Sequence, residues 1–138
     1  MDIFAVNWLA VILAAAAGFV VGGLWYGPLF GRLWMSAAGI SEDDMKNSTG
    51  ADMARRYGFT FLLSLLASWT LAHVFATYPD LAFGVMVMTA FGVALGFIVP
   101  ALWTNYLFQG AKRTLFLVDA GYWLVFYTVM GSVHAAFA

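Results

Sequence analysis

The sequence contains no cysteine and few charged residues. Of its 138 residues, 9% are Asp, Glu, Lys or Arg, whereas 64% are hydrophobic. Without cysteine the chain cannot form disulfides, zinc–thiolate sites or iron–sulfur clusters. The net charge of −1 excludes a broad basic surface for nucleic acid. Soluble domains carry about 25% charged residues and disordered chains are poor in apolar ones, so this composition indicates an integral membrane protein.

The apolar residues fall into four long segments. These segments cover approximately residues 3–26, 57–78, 81–108 and 115–137. Each has the ~20 residues that a helix needs to cross the hydrocarbon core of a bilayer. Because lipid offers the backbone no hydrogen-bond partners, the segments are predicted to be helices. We expect one all-α membrane domain over residues 1–138, a bundle of four transmembrane helices with a loop at 27–56.

All the basic residues lie in two of the connecting segments. They are Arg32, Lys46, Arg55 and Arg56 between the first two spans, and Lys112 and Arg113 between the last two. Positive charge is retained on the cytoplasmic side of a membrane. We therefore expect a multi-pass protein of the bacterial inner (cytoplasmic) membrane, with both termini outside. In the longer loop, Ser41 with Asp44 and Thr49 with Asp52 have the spacing of capping boxes at the starts of two helices.

Glycines recur at four-residue spacing within the spans. The pairs are Gly18 with Gly22, Gly23 with Gly27, and Gly92 with Gly96, and Ser64 with Ser68 continues the pattern. Small residues at this spacing let helix backbones approach closely. The contacts could lie within one bundle or between subunits. Because four helices enclose little interior, we expect a homo-oligomer in the lipid bilayer.

A proline interrupts the third span. Pro100 lacks a backbone N–H and clashes with the carbonyl four residues back, so a kink is predicted near Gly96. The kink is either a static bend that helps packing or a hinge at a cavity.

Asp119 is the one acidic residue inside a span, and an ionised carboxylate is costly in lipid. Asn105 and Gln109, four residues apart on the third span, are expected at the same depth, with Tyr122 within reach. One interpretation is a proton- or cation-binding site that titrates at Asp119. The other is an anchor, in which Asp119 pairs with a basic residue or is capped by Asn105. The basic candidates are Lys112, Arg113 and Arg32.

A second polar group is expected at the opposite face of the membrane. His73, His134 and Asn7 come from three different spans and belong to one layer. Two histidines on separate helices could ligate a metal or haem iron, or relay protons. Alternatively, both are interfacial side chains hydrogen-bonded to backbone or water. No carboxylate has helical spacing to either histidine, and we expect no metal or other cofactor.

Several local motifs give the chain a family resemblance. They are Asn7-Trp8, the run from Gly22 to Pro28 (Gly-Gly-Leu-Trp-Tyr-Gly-Pro), Phe30-Gly31 with Trp34, Asn105 to Phe108, Ala120 to Trp123, and Met130-Gly131. The sequence resembles the bacterial and fungal membrane family catalogued as domain-of-unknown-function family 1761. The resemblance covers nearly the whole chain and implies a small multi-pass membrane protein. It implies no activity and no catalytic residue.

Two hypotheses about function follow. The first is an oligomeric transporter or channel for a small solute or ion, with an intramembrane acid. The alternative is a non-transporting assembly or accessory protein that binds lipid or a partner protein. A haem- or metal-binding module is a third. The sequence has no nucleophile elbow, zinc-protease motif or phosphate-binding loop, and no enzyme is expected.

Overall fold

The regular secondary structure of the protein is helical throughout the part that the computed structural model describes, residues 2–138. Residue 1 of the expected domain lies outside that part. Seven α-helices follow one another along the described chain: α1 (Trp8–Leu24), α2 (Gly31–Ala38), α3 (Glu42–Lys46), α4 (Gly50–Ala76), α5 (Phe83–Val93), α6 (Val99–Gln109) and α7 (Arg113–Ala136). The described chain also contains two π-helical turns. Trp25–Leu29 directly follows α1, and Ala94–Ile98 lies between α5 and α6.

Four helical segments are long and apolar enough to cross a membrane, as predicted. They are Trp8–Leu29, Gly50–Ala76, Phe83–Gln109 and Arg113–Ala136. Successive spans run in opposite directions. We call one end of the bundle the basic end, since the six Lys and Arg residues of the sequence belong to it. Arg32, Lys46 and Lys112 lie in the segments that connect spans there, and Arg55, Arg56 and Arg113 lie near the starts of α4 and α7. The opposite end, at which α1 begins and α7 ends, is the terminal end.

Side-chain caps set the start of several helices. Asn7 Oδ1 accepts from the Ala10 N–H at the start of α1, and Thr49 Oγ1 accepts from the Asp52 N–H at the start of α4. The predicted box at Ser41 and Asp44 is complete, because each side chain accepts from the other residue's backbone N–H. The Ser41 backbone N–H, together with the Ser41 side chain, lowers the pKa of the exposed Asp44 carboxyl.

The last span, α7, is the hub of the packing. It packs against α1 on one side and α5 and α6 on the other, while α4 packs chiefly on α1. Phe126 and Met130 of α7 are 1% and 0% exposed. Small residues make room for this helix: a Cβ at Gly18 would lie 2.5 Å from the Phe126 ring, and Gly131 lies against Ala90.

Large apolar side chains cover the outside of the bundle. Leu62, Leu63 and Leu66 are exposed on α4, and Met88 and Phe97 are exposed on the third span. In water such a surface would be unstable. In a bilayer it faces lipid tails that are as apolar as the side chains themselves.

The third span is irregular where the kink was predicted. Ala94–Ile98 forms a π-helical turn that contains Gly96 and ends just before Val99 and Pro100. A π-turn changes the hydrogen-bond ladder locally, and Pro100 cannot donate to the Gly96 carbonyl in a regular α-helix.

Candidate functional site

A buried carboxylate lies between three of the four spans near the basic end. Asp119 of α7 is 6% exposed. Its Oδ1 accepts a hydrogen bond from the Tyr26 hydroxyl at 2.5 Å, and its Oδ2 accepts one from the Tyr106 hydroxyl at 2.5 Å. Tyr26 follows α1 and Tyr106 lies on α6. Asp119 is six residues into α7 from Arg113, which is roughly 9 Å along the axis.

The π-turn after α1 brings Tyr26 to this position. The Phe30 N–H donates to the Trp25 carbonyl, five residues back, at 2.8 Å. Pro28 lies within the turn and has no N–H to donate. The Trp25 indole N–H donates to the Val118 carbonyl at 3.0 Å, which fixes the turn to α7 beside Asp119. A π-turn adds a residue to the helical turn and so changes the direction of the side chains that follow.

Small and aromatic residues support the two tyrosine–aspartate bonds. The Tyr26 ring packs edge-on against Trp34 of α2, with centroids 5.5 Å apart, and against Tyr122 of α7, at 5.0 Å. Gly31 starts α2 directly against the Tyr26 carbonyl oxygen, where a Cβ would lie 2.5 Å away. Trp25 packs against Gly121, which has no side chain to block it. Any larger residue at Gly31 or Gly121 would displace this layer.

The structure brings together only part of the site that the sequence suggested. Asp119 and Tyr122 are buried on α7, whereas Asn105 and Gln109 are exposed on α6. The hydrogen-bond donors are Tyr26 and Tyr106. Both tyrosines lie near span ends, where interfacial tyrosines are common, so the sequence alone does not distinguish them from membrane-interface residues. The signal that could have found Tyr106 is its position next to Asn105, at the depth already assigned to Asp119.

The basic partners of the anchor interpretation do not contact Asp119. Within residues 2–138, the one ion pair joins Arg55 to Asp52 at 4.0 Å, on the surface. Arg32, Lys112 and Arg113 are exposed. The two phenol hydroxyls therefore take the place expected for a cation or for Asn105.

A second buried polar group joins three spans towards the terminal end. The Ser68 hydroxyl donates to the Val11 carbonyl at 2.8 Å, and Ser68 Oγ lies 2.9 Å from His134 Nε2. A serine hydroxyl has a single hydrogen, and here the Val11 carbonyl receives it. The His134 ring must therefore donate from Nε2 to Ser68 Oγ. In the neutral ring, this leaves Nδ1 as an acceptor.

The three predicted residues of this layer separate into two places. His134 and Asn7 line the same small cavity. His73 instead donates from Nδ1 to the Trp69 carbonyl of its own helix, at 2.8 Å, and packs on the Trp69 ring. Across the described residues, no group of three His, Cys, Asp or Glu side chains comes together that could hold a metal ion.

Comparison with known families gives one match. The sequence profile of a family described as "Protein of unknown function (DUF1761)" matches residues 9–135, nearly the whole chain. The chain belongs to the DUF1761 family. Neither the curated proteins nor the solved structures contain a match to this DUF1761 protein.

In this DUF1761 protein, the motifs between Trp25 and Trp34 that contribute to the family resemblance also build the site. Trp25 and Tyr26 bond to α7, Pro28 lies inside the π-turn, and Gly31 and Trp34 support Tyr26. The motif thus has a structural explanation, since it forms the turn that holds a tyrosine against Asp119.

The predicted glycine contacts of the DUF1761 chain divide into two kinds. Gly18 lies against Phe126 and Gly22 against the Tyr122 hydroxyl, so this pair packs α1 on α7. The other four have nothing within 4 Å of the place that a Cβ would occupy: Gly23, Gly27, Gly92 and Gly96. Ser64 and Ser68 are buried on α4. Two close contacts, Gly121 with Trp25 and Gly131 with Ala90, were missed by the spacing argument.

Proposed function

We propose that this protein is a small membrane transporter in which Asp119 binds and releases a proton. The observation that carries the proposal is a carboxylate buried among three spans, with tyrosine hydroxyls and no basic side chain as its partners. Ionisable groups inside a membrane are costly, and they are retained where they move ions or protons.

The hydrogen bonds at Asp119 distinguish its two protonation states. The ionised carboxylate accepts from both tyrosine hydroxyls, which is the arrangement observed. The protonated group carries a hydroxyl hydrogen on one oxygen, so that oxygen would face the hydrogen of a tyrosine. The hydrogen of that tyrosine hydroxyl must then turn away, and its oxygen accepts from the carboxyl O–H instead. Proton binding would therefore reverse one link and weaken both, because hydrogen bonds to a neutral carboxyl are weaker than those to a carboxylate.

Each of the two hydrogen bonds connects Asp119 to a residue near the end of a span, and that span end could move when the bond weakens. Tyr26 lies in the π-turn and packs on Trp34 of α2, while Tyr106 is half-buried near the end of α6. Loss of either bond would loosen one span from α7 at the basic end. Such a charge-dependent contact between elements is the kind of local event that drives conformational switching.

The packing towards the terminal end favours a transporter over an open channel. Phe126 and Met130 fill the interior between Asp119 and His134, and neither is more than 1% exposed. Within one bundle, a continuous water path cannot pass such close-packed side chains. Transport would require a change of conformation, which fits a carrier that binds its solute and proton in turn.

The experiment follows the protonated-carboxyl band by infrared difference spectroscopy of the protein reconstituted in lipid. We expect a band that titrates within about pH 5–8, the range typical of functional acids, and that is missing from Asp119→Asn. Asp43→Asn, which removes an exposed acid of α3, is the control and should keep the band. A band that is unchanged in Asp119→Asn, or no titrating band at all, would overturn the proposal. In the second case Asp119 keeps one protonation state throughout this pH range.

An assembly role is the second candidate. Gly92 and Gly96 lie on the exposed surface of the third span with open space beside them, although their spacing suits close helix contact. A second copy of the chain could pack on this surface, as expected for a homo-oligomer. In that case the protein would act as an assembly or accessory component, with Asp119 serving stability alone.

A further inference from the structure

The terminal end of the bundle contains a recess large enough for a small molecule. Two adjoining cavities, of about 650 Å³ and about 190 Å³, share Phe75, Ala76 and Met86 in their walls. We call the pair the terminal recess. The larger cavity extends to Tyr78 and Asp80 in the turn between α4 and α5, and the smaller one reaches Asn7 and His134. Sites for small ligands typically have volumes of about 300–1,000 Å³.

The terminal recess combines aromatic walls with one carboxylate. Phe75, Tyr78 and Phe83 line the larger cavity, and Asp80 is the one Asp or Glu side chain in its lining. Aromatic faces attract cations through the negative potential above the ring, and a carboxylate attracts them directly. Apolar walls around a single acid are suited to a ligand that is both organic and positively charged.

The charge distribution of the whole chain favours the same ligand. The six Lys and Arg side chains belong to the basic end, whereas Asp2 and Asp80 lie at the terminal end. Within the described part of the chain, Asp80 forms no ion pair. A surface with charge of one sign raises the local concentration of ligands of the opposite sign.

His134, which lines the smaller cavity of the recess, adds a hydrogen-bond acceptor. His134 Nε2 is committed to Ser68, so the neutral ring can only accept at Nδ1. An acceptor complements the N–H groups of a protonated amine and offers nothing to a carboxylate or phosphate. This agrees with the sign of the charge at Asp80.

We propose that the terminal recess binds a small organic cation, an aromatic or alkyl amine or quaternary ammonium ion, with Asp80 as its counter-ion. Binding there does not require a proton at Asp119, so the inference goes beyond the proposed function. It assigns a ligand class to the opposite end of the protein.

The backbone at Asp80 allows a clean test. Asp80 has φ = 54°, in the left-handed region, where Asp and Asn are the best tolerated residues after glycine. Asp80→Asn therefore removes the charge and keeps both the size and the turn. Asp2→Asn is the matched control, since it removes the same charge from the same end at a position that does not line the recess.

The experiment measures binding of benzyltrimethylammonium to the full chain in neutral detergent by ligand-observed NMR, with benzylsulfonate as an anion of similar size. We expect the cation to bind and the anion not to bind. Asp80→Asn should weaken cation binding by about tenfold or more, which corresponds to one close charge contact in a partly screened site. Asp2→Asn should change binding by no more than about twofold, because exposed charges farther away are screened by salt.

Two further variants separate the possible outcomes. Phe83→Leu keeps an apolar wall without the aromatic face and should also weaken cation binding, which maintains the test if Asp80→Asn fails to fold. Asp119→Asn should bind the cation as the wild type does, so the recess can be judged independently of the proton site. Equal binding of cation and anion, or unchanged cation affinity in folded Asp80→Asn, would overturn the inference.

Discussion

At the scale of single residues, the balance of energies at Asp119 determines what the group can do. Hydrogen bonds to a charged group contribute about 1.5–3 kcal/mol each, so two tyrosines supply roughly 3–6 kcal/mol. Removing an ion from water costs several kcal/mol even after the protein relaxes. The two quantities are of similar size. The two tyrosine hydrogen bonds therefore offset much of the cost of burying the Asp119 carboxylate.

Gly18 provides a stability prediction at the same scale. A Cβ there would lie 2.5 Å from the Phe126 ring, in the most closely packed part of the interior. We expect Gly18→Ala to destabilise the protein by about 1–3 kcal/mol, the usual cost of overpacking a core. Gly23→Ala is the matched control on the same helix, since nothing lies within 4 Å of its Cβ position. Reversible unfolding in bicelles measures both, and equal stabilities would contradict the packing described for α1 and α7.

The sequence could predict the acid of the site but not its partners. Asp119 was identifiable because an acid inside an apolar segment is costly wherever the helices pack. Its donors were not identifiable, because Tyr26 and Tyr106 are far from it in sequence and look like ordinary interfacial tyrosines. Asn105 and Gln109 have the right depth, but depth alone does not say which face of α6 is turned towards α7.

At the scale of elements, the π-turn after α1 connects the family motif to the site. A regular α-helix through Trp25–Leu29 would require Pro28 to donate a hydrogen bond that it lacks. The wider turn avoids this requirement and lets Trp25 and Tyr26 both reach α7. Helix α2 then starts at Gly31, directly behind Tyr26. The π-turn, together with the start of α2, therefore holds Tyr26 in position against Asp119.

The close contact between Gly31 and the Tyr26 backbone predicts that a larger residue at position 31 displaces Tyr26. Gly31→Ala would place a Cβ against the Tyr26 backbone oxygen, which cannot move away as a flexible side chain could. We expect the Tyr26–Asp119 hydrogen bond to be lost in this variant. The carboxyl carbon resonance of Asp119, observed by NMR with ¹³C-labelled aspartate, should shift. Gly27→Ala, in the same turn but with open space around it, should leave the resonance in place. A shift of the same size in both variants would argue against a specific role for Gly31.

At the scale of the whole molecule, the spans are arranged around α7 and leave two surfaces uncovered. α4 contacts chiefly α1, and the third span contacts chiefly α7, so the far side of each faces outwards. Exposed leucines cover α4, whereas the third span presents Gly92 and Gly96 between large side chains. The second surface has two exposed glycines at the four-residue spacing that allows another helix to approach closely.

The uncovered glycines predict how the protein assembles. If copies meet at the third span, Gly92→Leu should shift the mass of the particle towards the monomer, because a large side chain keeps the helices apart. Gly58→Leu on α4 also places a leucine in open space and should leave the mass unchanged. Light scattering corrected for bound detergent measures both. An identical mass for wild type and Gly92→Leu would rule out this surface as the subunit contact.

The sequence by itself determined the class of the protein, the number of spans, the helix caps at Ser41 and Thr49, and the presence of a buried acid. These features depend on local composition and spacing, and on the cost of placing polar groups in lipid, which apply before any helices pack. Tertiary structure decided which side chains meet: Tyr26 and Tyr106 at Asp119, and Ser68 at His134. Those contacts depend on the rotation of each helix about its axis, and that rotation is fixed only when large side chains such as Phe126 pack against small ones such as Gly18.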